Sequence, residues 1–180
     1  MSKDIREMID KVKNFKQFIN ENTQYNSFSK LTEKDLYDIA KWGLFKGGYI
    51  LHDDLSDEDA VEETVNDFKL LLKSNYPDGF KNTPNILTLY RIVKLNNPKE
   101  LNTSNLGGSW FSNIERIKDR NFIDQLFNNS NNLYLITAEV PLSKVDIPRS
   151  LIQRVTTYIE NEIVLSDDSN IKIVSLDKIS

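Results

Sequence analysis

The sequence contains no cysteine, which removes disulfides, thiolate nucleophiles and cysteine zinc sites in one observation. It has a single histidine, His52, so it cannot build a multi-histidine metal centre, and no metal is expected. No apolar run approaches the roughly 20 residues needed to span a bilayer, and the first seven residues, Met1-Ser2-Lys3-Asp4-Ile5-Arg6-Glu7, are mostly polar or charged. The expectation is a cytoplasmic protein without a membrane partner. Basic excess is missing too. Lys+Arg number 23 against 27 Asp+Glu, for a net charge of -4 and a pI near 5.1. Nothing global therefore favours nucleic acid, and DNA is not an expected partner, although a local basic groove stays open. The aromatic residues are not interleaved with basic ones as a single-strand-binding platform would require.

The 180 residues suit one domain, or a domain with a substantial appendage. With 39% hydrophobic and 10% aromatic residues the chain can bury a real core, so disorder is a poor description of it. The first half reads as helical. Ile5, Met8, Ile9, Val12, Phe15, Phe18 and Ile19 recur at three- and four-residue spacing, which predicts an amphipathic helix. Thr32-Glu33-Lys34-Asp35 has the form of a capping box and opens a segment with Leu36, Ile39, Ala40 and Trp42, which Gly43 and the Gly47-Gly48 pair should interrupt. Ser56-Asp57-Glu58-Asp59 repeats the signal before Val61, Val65, Phe68, Leu71 and Leu72, in a helix that should stop near Asn75. Residues 76–85 are dense in turn formers.

From Ile86 the periodicity shifts toward two, and the chain divides into a helical region over 1–85 and a sheet-forming core over 86–180. Residues 86–95 form a predicted buried strand, 109–112 a short strand, 114–127 a helix and 133–140 a second long strand closed by Pro141. Residues 162–165 and 171–176 read as two strands joined by Ser166-Asp167-Asp168-Ser169-Asn170 in a hairpin turn. The fold class is α+β.

Three pieces carry chemistry. Arg91 follows Tyr90 in an apolar strand and shares a face with Leu89 and Val93, so its guanidinium needs a partner there. A phosphate is one, because the planar fork matches its oxygens; a buried acid or the sheet edge is another. Gly107-Gly108-Ser109-Trp110 combines permissive backbone, a small hydroxyl and a large indole. Such a step can let a ligand approach the backbone, with Ser109 as hydrogen-bond donor and Trp110 as a pocket wall, or it can be an ordinary loop feeding a core tryptophan. Glu160 and Glu162 lie two apart, so on a strand both carboxylates face one way and repel unless solvent, a cation or a reaction occupies them. His52, beside Asp53 and Asp54, has no nucleophile context and reads as structural or solvent-facing. The acidic run over 53–63 lacks the alternation of a calcium loop and is more simply a helix start.

Taken together, the arginine, the serine and the Glu-x-Glu pair resemble the bacterial and phage mono-ADP-ribosyltransferase pattern. Leu106-Gly107-Gly108-Ser109-Trp110 is similar to the Gly-x-Ser-Trp step of small members of that family. Leu135-Ile136-Thr137-Ala138-Glu139-Val140 resembles the strand that comes after it, and Glu160-Asn161-Glu162-Ile163-Val164-Leu165 resembles the Glu-x-Glu strand. The likeness covers residues 87–176. It implies a split, mostly antiparallel sheet of the ADP-ribosyltransferase type behind a helical region, with NAD as co-substrate. Arg91, with Tyr90 beside it, would bind the NAD phosphate or ribose region, and Ser109 would support the nicotinamide ribose and hold the catalytic glutamate. Glu162 would be that glutamate, contacting the ribose hydroxyl, and Glu160 would act on the acceptor. Tyr158 is a candidate for substrate recognition. A Glu at position 160 goes with arginine modification in this family, so a protein acceptor is expected, with host transcription or translation machinery as a family-based possibility and the host cytoplasm as location for a phage-encoded protein. RNA as acceptor stays open. Two other readings are an NAD glycohydrolase using the same site and a non-catalytic interaction or inhibitor module on the same fold.

Overall fold

A computed structural model describes residues 25, 27–46, 56–103, 106–119, 123, 127, 130–156, 161–166 and 171–179. The predicted helix carrying Ile5 to Ile19, the Gly47-Gly48 pair, His52, Tyr158 and Glu160 lie outside the described residues.

Both N-caps form, the first as a full capping box. The Thr32 hydroxyl accepts from the Asp35 N–H at 3.2 Å, and the Asp35 carboxylate accepts from the Thr32 N–H at 2.7 Å. This pair starts helix α1, Glu33–Lys46. Ser56 likewise accepts from the Asp59 N–H at 3.3 Å and starts α2, Asp57–Lys73. Gly43 does not interrupt α1. A Cβ there would sit 3.0 Å from Cδ1 of Ile152, so the glycine admits a neighbouring helix close to α1.

Five strands follow: β1, Ile86–Lys94; β2, Ser109–Phe111; β3, Leu133–Pro141; β4, Glu162–Val164; and β5, Lys172–Lys178. The short helix α3, Ile114–Lys118, falls between β2 and β3, and α4, Ile147–Thr156, between β3 and β4. Among the described residues the strands make one sheet, ordered β4-β2-β1-β3-β5, with every pairing antiparallel. The architecture is α+β, with one continuous sheet in place of the expected split one. The hairpin between the last two strands is corrected: β4 and β5 lie at opposite edges, β4 on β2 and β5 on β3.

Directly opposed residues of an antiparallel pair share a face. Leu87, Leu89, Trp110, Ile136, Ala138, Val140 and Ile163 therefore form one apolar face. It packs under Leu36 and Ile39 of α1, Val61, Val65 and Phe68 of α2, and Ile147, Leu151, Ile152 and Val155 of α4. Helical residues and sheet share this core. The other face holds Ile92, Phe111 and Leu133, covered by Ile117 of α3 and by Ile123 and Phe127. No helix among the described residues is long and apolar enough to cross a membrane.

Candidate functional site

The three chemistry-bearing segments lie on adjacent strands. Arg91 is on β1, Ser109 opens β2 and Glu162 opens β4, and β2 pairs with both neighbours. Tyr90 is opposite Phe111, and Phe111 is opposite Glu162. These three side chains therefore form a row across one face of the sheet. Ser109 is opposite Val164, two residues from Glu162. It shares the Glu162 face on the diagonal, where α-carbons are typically about 7–8 Å apart.

Arg91 starts from the other face, beside Leu89 and Val93, as its position in the strand requires. Its Nε is buried, and its Nη1 donates to the main-chain carbonyl of Ser109. It also lies against Gly107, whose φ is +82° and where a Cβ would be 2.7 Å from Nη2. The backbone approaches the cation so closely that a side chain at Gly107 would fill the space. The structure thus brings Arg91 to Ser109 through the backbone.

Trp110, expected to wall a pocket, is instead fully buried in the core on the face opposite Glu162, and its indole N–H donates to the Gly107 carbonyl at 3.0 Å. It holds the Gly107 to Ser109 step from beneath. Tyr90 is half-buried beside Phe111. Among the described residues, no group of three or more His, Cys, Asp and Glu could hold a metal ion.

The strongest polar arrangement is one that the sequence motifs do not mark. Arg154 of α4 is buried at 2% exposure, and burial lowers its pKa from the usual value to about 10, against the opposing effects of Tyr76, Asp78 and Glu162. A buried guanidinium is tolerated only when its donors are used. Nε donates to the Glu162 carbonyl at 3.1 Å. Nη1 donates to the carbonyls of Pro77 at 3.1 Å and Asp78 at 2.7 Å, and reaches Asn161 Oδ1 at 3.3 Å. Nη2 donates to the Ser112 hydroxyl. One face of the guanidinium lies over the Phe80 ring at 5.1 Å, and that ring stacks on Phe28 with centroids 3.9 Å apart.

Asn161, the middle residue of Glu-Asn-Glu, is the other half of this arrangement. It has φ 48° and is buried, a left-handed conformation that asparagine tolerates better than most residues. Its Nδ2 donates to Asp78 Oδ1 at 3.1 Å, and its carbonyl accepts from the Ser112 N–H at 3.1 Å. The Ser112 hydroxyl is 3.0 Å from the same carbonyl and 2.9 Å from that of Pro77. Asp78 Oδ1 also accepts from Asn113 Nδ2 at 2.8 Å. One signal for Arg154 was present in the sequence: Ile147, Leu151, Arg154 and Val155 fall on a single helical stripe, and the arginine is its charged member. No family model, curated protein or solved structure matches the chain.

Proposed function

We propose that this protein is an NAD-dependent mono-ADP-ribosyltransferase that moves ADP-ribose from NAD to a macromolecular acceptor and releases nicotinamide. The preferred acceptor is a protein arginine and the preferred location is the cytoplasm. The observation that carries the reading is the pairing of β4 with β2 and of β2 with β1, which makes neighbours of the arginine, serine and glutamate segments. Nothing in local sequence requires those three segments to be adjacent.

In this reading the Arg91 guanidinium, with the Gly107 backbone packed against it, binds the diphosphate side of NAD through charge-assisted hydrogen bonds. Ser109, exposed at the start of β2, donates to the nicotinamide ribose. The glycosidic C–N bond breaks with its electron pair going to nicotinamide, and the Glu162 carboxylate stabilises the oxocarbenium character left on the ribose. Glu160 takes the proton from the acceptor nitrogen as that nitrogen bonds to the ribose carbon.

The test is incubation with adenylate-labelled NAD and a bacterial extract, with separate protease and RNase digestion of the products. Label attached to macromolecules and released by protease is the expected result. Release by RNase would move the acceptor to RNA, free ADP-ribose alone would make the protein a glycohydrolase, and intact NAD would contradict the reading.

A further inference from the structure

We propose that Arg154 is a positioning residue for Glu162, acting through the buried Asn161 between the two glutamates; this rests on the transferase reading above. Arg154 bonds both to the Glu162 carbonyl and to the Asn161 side chain, so it grips two successive residues at the start of β4. Asn161 is further tied through its side-chain amide to Asp78 and through its carbonyl to Ser112. With Asn161 held on the α4 side of the sheet, strand alternation directs the Glu162 side chain to the opposite face, beside Phe111. The left-handed backbone at Asn161 turns the chain into the strand at that point. The direction of the carboxylate is therefore set by groups on the far side of the sheet from it.

Electrostatic stabilisation of a developing cation depends on where the carboxylate lies, and a misplacement of about 1 Å can cost on the order of 100-fold in rate. Lysine at 154 keeps a positive charge but lacks the planar fork that reaches several acceptors at once. The experiment measures nicotinamide release from NAD by the wild type, Arg154→Lys, Glu162→Ala and the double variant, with thermal melting of each. Arg154→Lys should lower kcat by about 10- to 100-fold with KM for NAD unchanged within about twofold. In the Glu162→Ala background the same substitution should leave the residual rate unchanged, because its effect passes through the missing carboxylate.

An equal fractional loss in both backgrounds would mean a general structural role and overturn the proposal, as would a wild-type kcat for folded Arg154→Lys. If Arg154→Lys does not fold, Asp78 supplies the same test. Asp78→Asn keeps the Oδ1 acceptor and should retain kcat, whereas Asp78→Ala should lose it only when Glu162 is present; equal behaviour of the two Asp78 variants would overturn the proposal. A wild type that leaves NAD intact overturns the transferase reading and this proposal with it. A wild type that cleaves NAD with Arg154 uncoupled from Glu162 overturns this proposal alone.

Discussion

Nη2 of Arg91 lies so close to Gly107 that a Cβ there would be 2.7 Å away, and the backbone at Gly107 is left-handed at φ +82°. Alanine at this position meets two penalties, the strained backbone and the displaced guanidinium. Gly107→Ala is expected to destabilise the fold by about 1–2 kcal/mol from the backbone alone. Moving the cation should also raise KM for NAD by about tenfold, the equivalent of about 1.4 kcal/mol of a charge-assisted bond. Chemical denaturation and NAD kinetics measure the two effects separately; an unchanged KM in a folded variant would remove Arg91 from the NAD site.

Trp110 gives a second prediction. Its indole N–H donates to the Gly107 carbonyl from inside the core. Trp110→Phe should cost about 0.5–1.5 kcal/mol through the loss of that hydrogen bond, with far less effect on catalysis than Glu162→Ala. Denaturant midpoints and kcat provide the comparison. A variant of unchanged stability that no longer binds NAD would mean that the indole contacts the ligand.

The pH dependence of stability should be visible at Asp146. Its side chain accepts from the Arg149 N–H at 3.0 Å at the start of α4, yet burial raises its pKa above the usual carboxylate value, outweighing the favourable effects of the Arg149 N–H and guanidinium. A raised native pKa means that the folded state holds its proton more tightly than the unfolded state. The cost of ionising Asp146 in the fold is thus fully present above the native pKa and disappears below the unfolded one. Asp146→Asn keeps a good N-cap and should be more stable than wild type at neutral pH, with the advantage vanishing as the pH falls below about 3.9. Urea melts at pH 7 and pH 3 would show it, and an advantage that persists at pH 3 would contradict the cause given.

Glu160 and Glu162 should separate functionally. Glu160→Ala is expected to reduce transfer to the acceptor more than NAD hydrolysis, because its proposed task is on the acceptor proton. Parallel assays of attached label and free ADP-ribose decide this. Equal losses of both activities would refute the division of labour.

Much of this architecture is legible locally. Thr32 and Ser56 mark their helices because a side-chain cap satisfies backbone N–H groups within four residues. The strands of 86–94 and 133–141 are legible from β-branched and large apolar runs. Partner choice is different, since periodicity says that a strand exists and not what it pairs with. The turn-rich residues after Leu165 suggested a hairpin, but β4 and β5 find partners at opposite edges. Gly43 is tolerated within α1 for a related reason: its fitness is decided by Ile152 on α4, which the local sequence does not show. The candidate site divides in the same way. Arg91, Ser109 and Glu162 were visible as residue types, whereas Arg154, Ser112, Asn161 and Asp78 act together only through contacts across the chain.

The most direct test of the account is nicotinamide release from NAD by the wild type and by Glu162→Ala at matched concentration, with a thermal melt of each. Glu162 is only half-buried at the start of an edge strand, so the variant should melt close to the wild type. Its rate should fall by about 100- to 1,000-fold. Equal release by the two proteins, or none by a folded wild type supplied with acceptor, would contradict the assignment of Glu162 as the residue that stabilises the departing ribose.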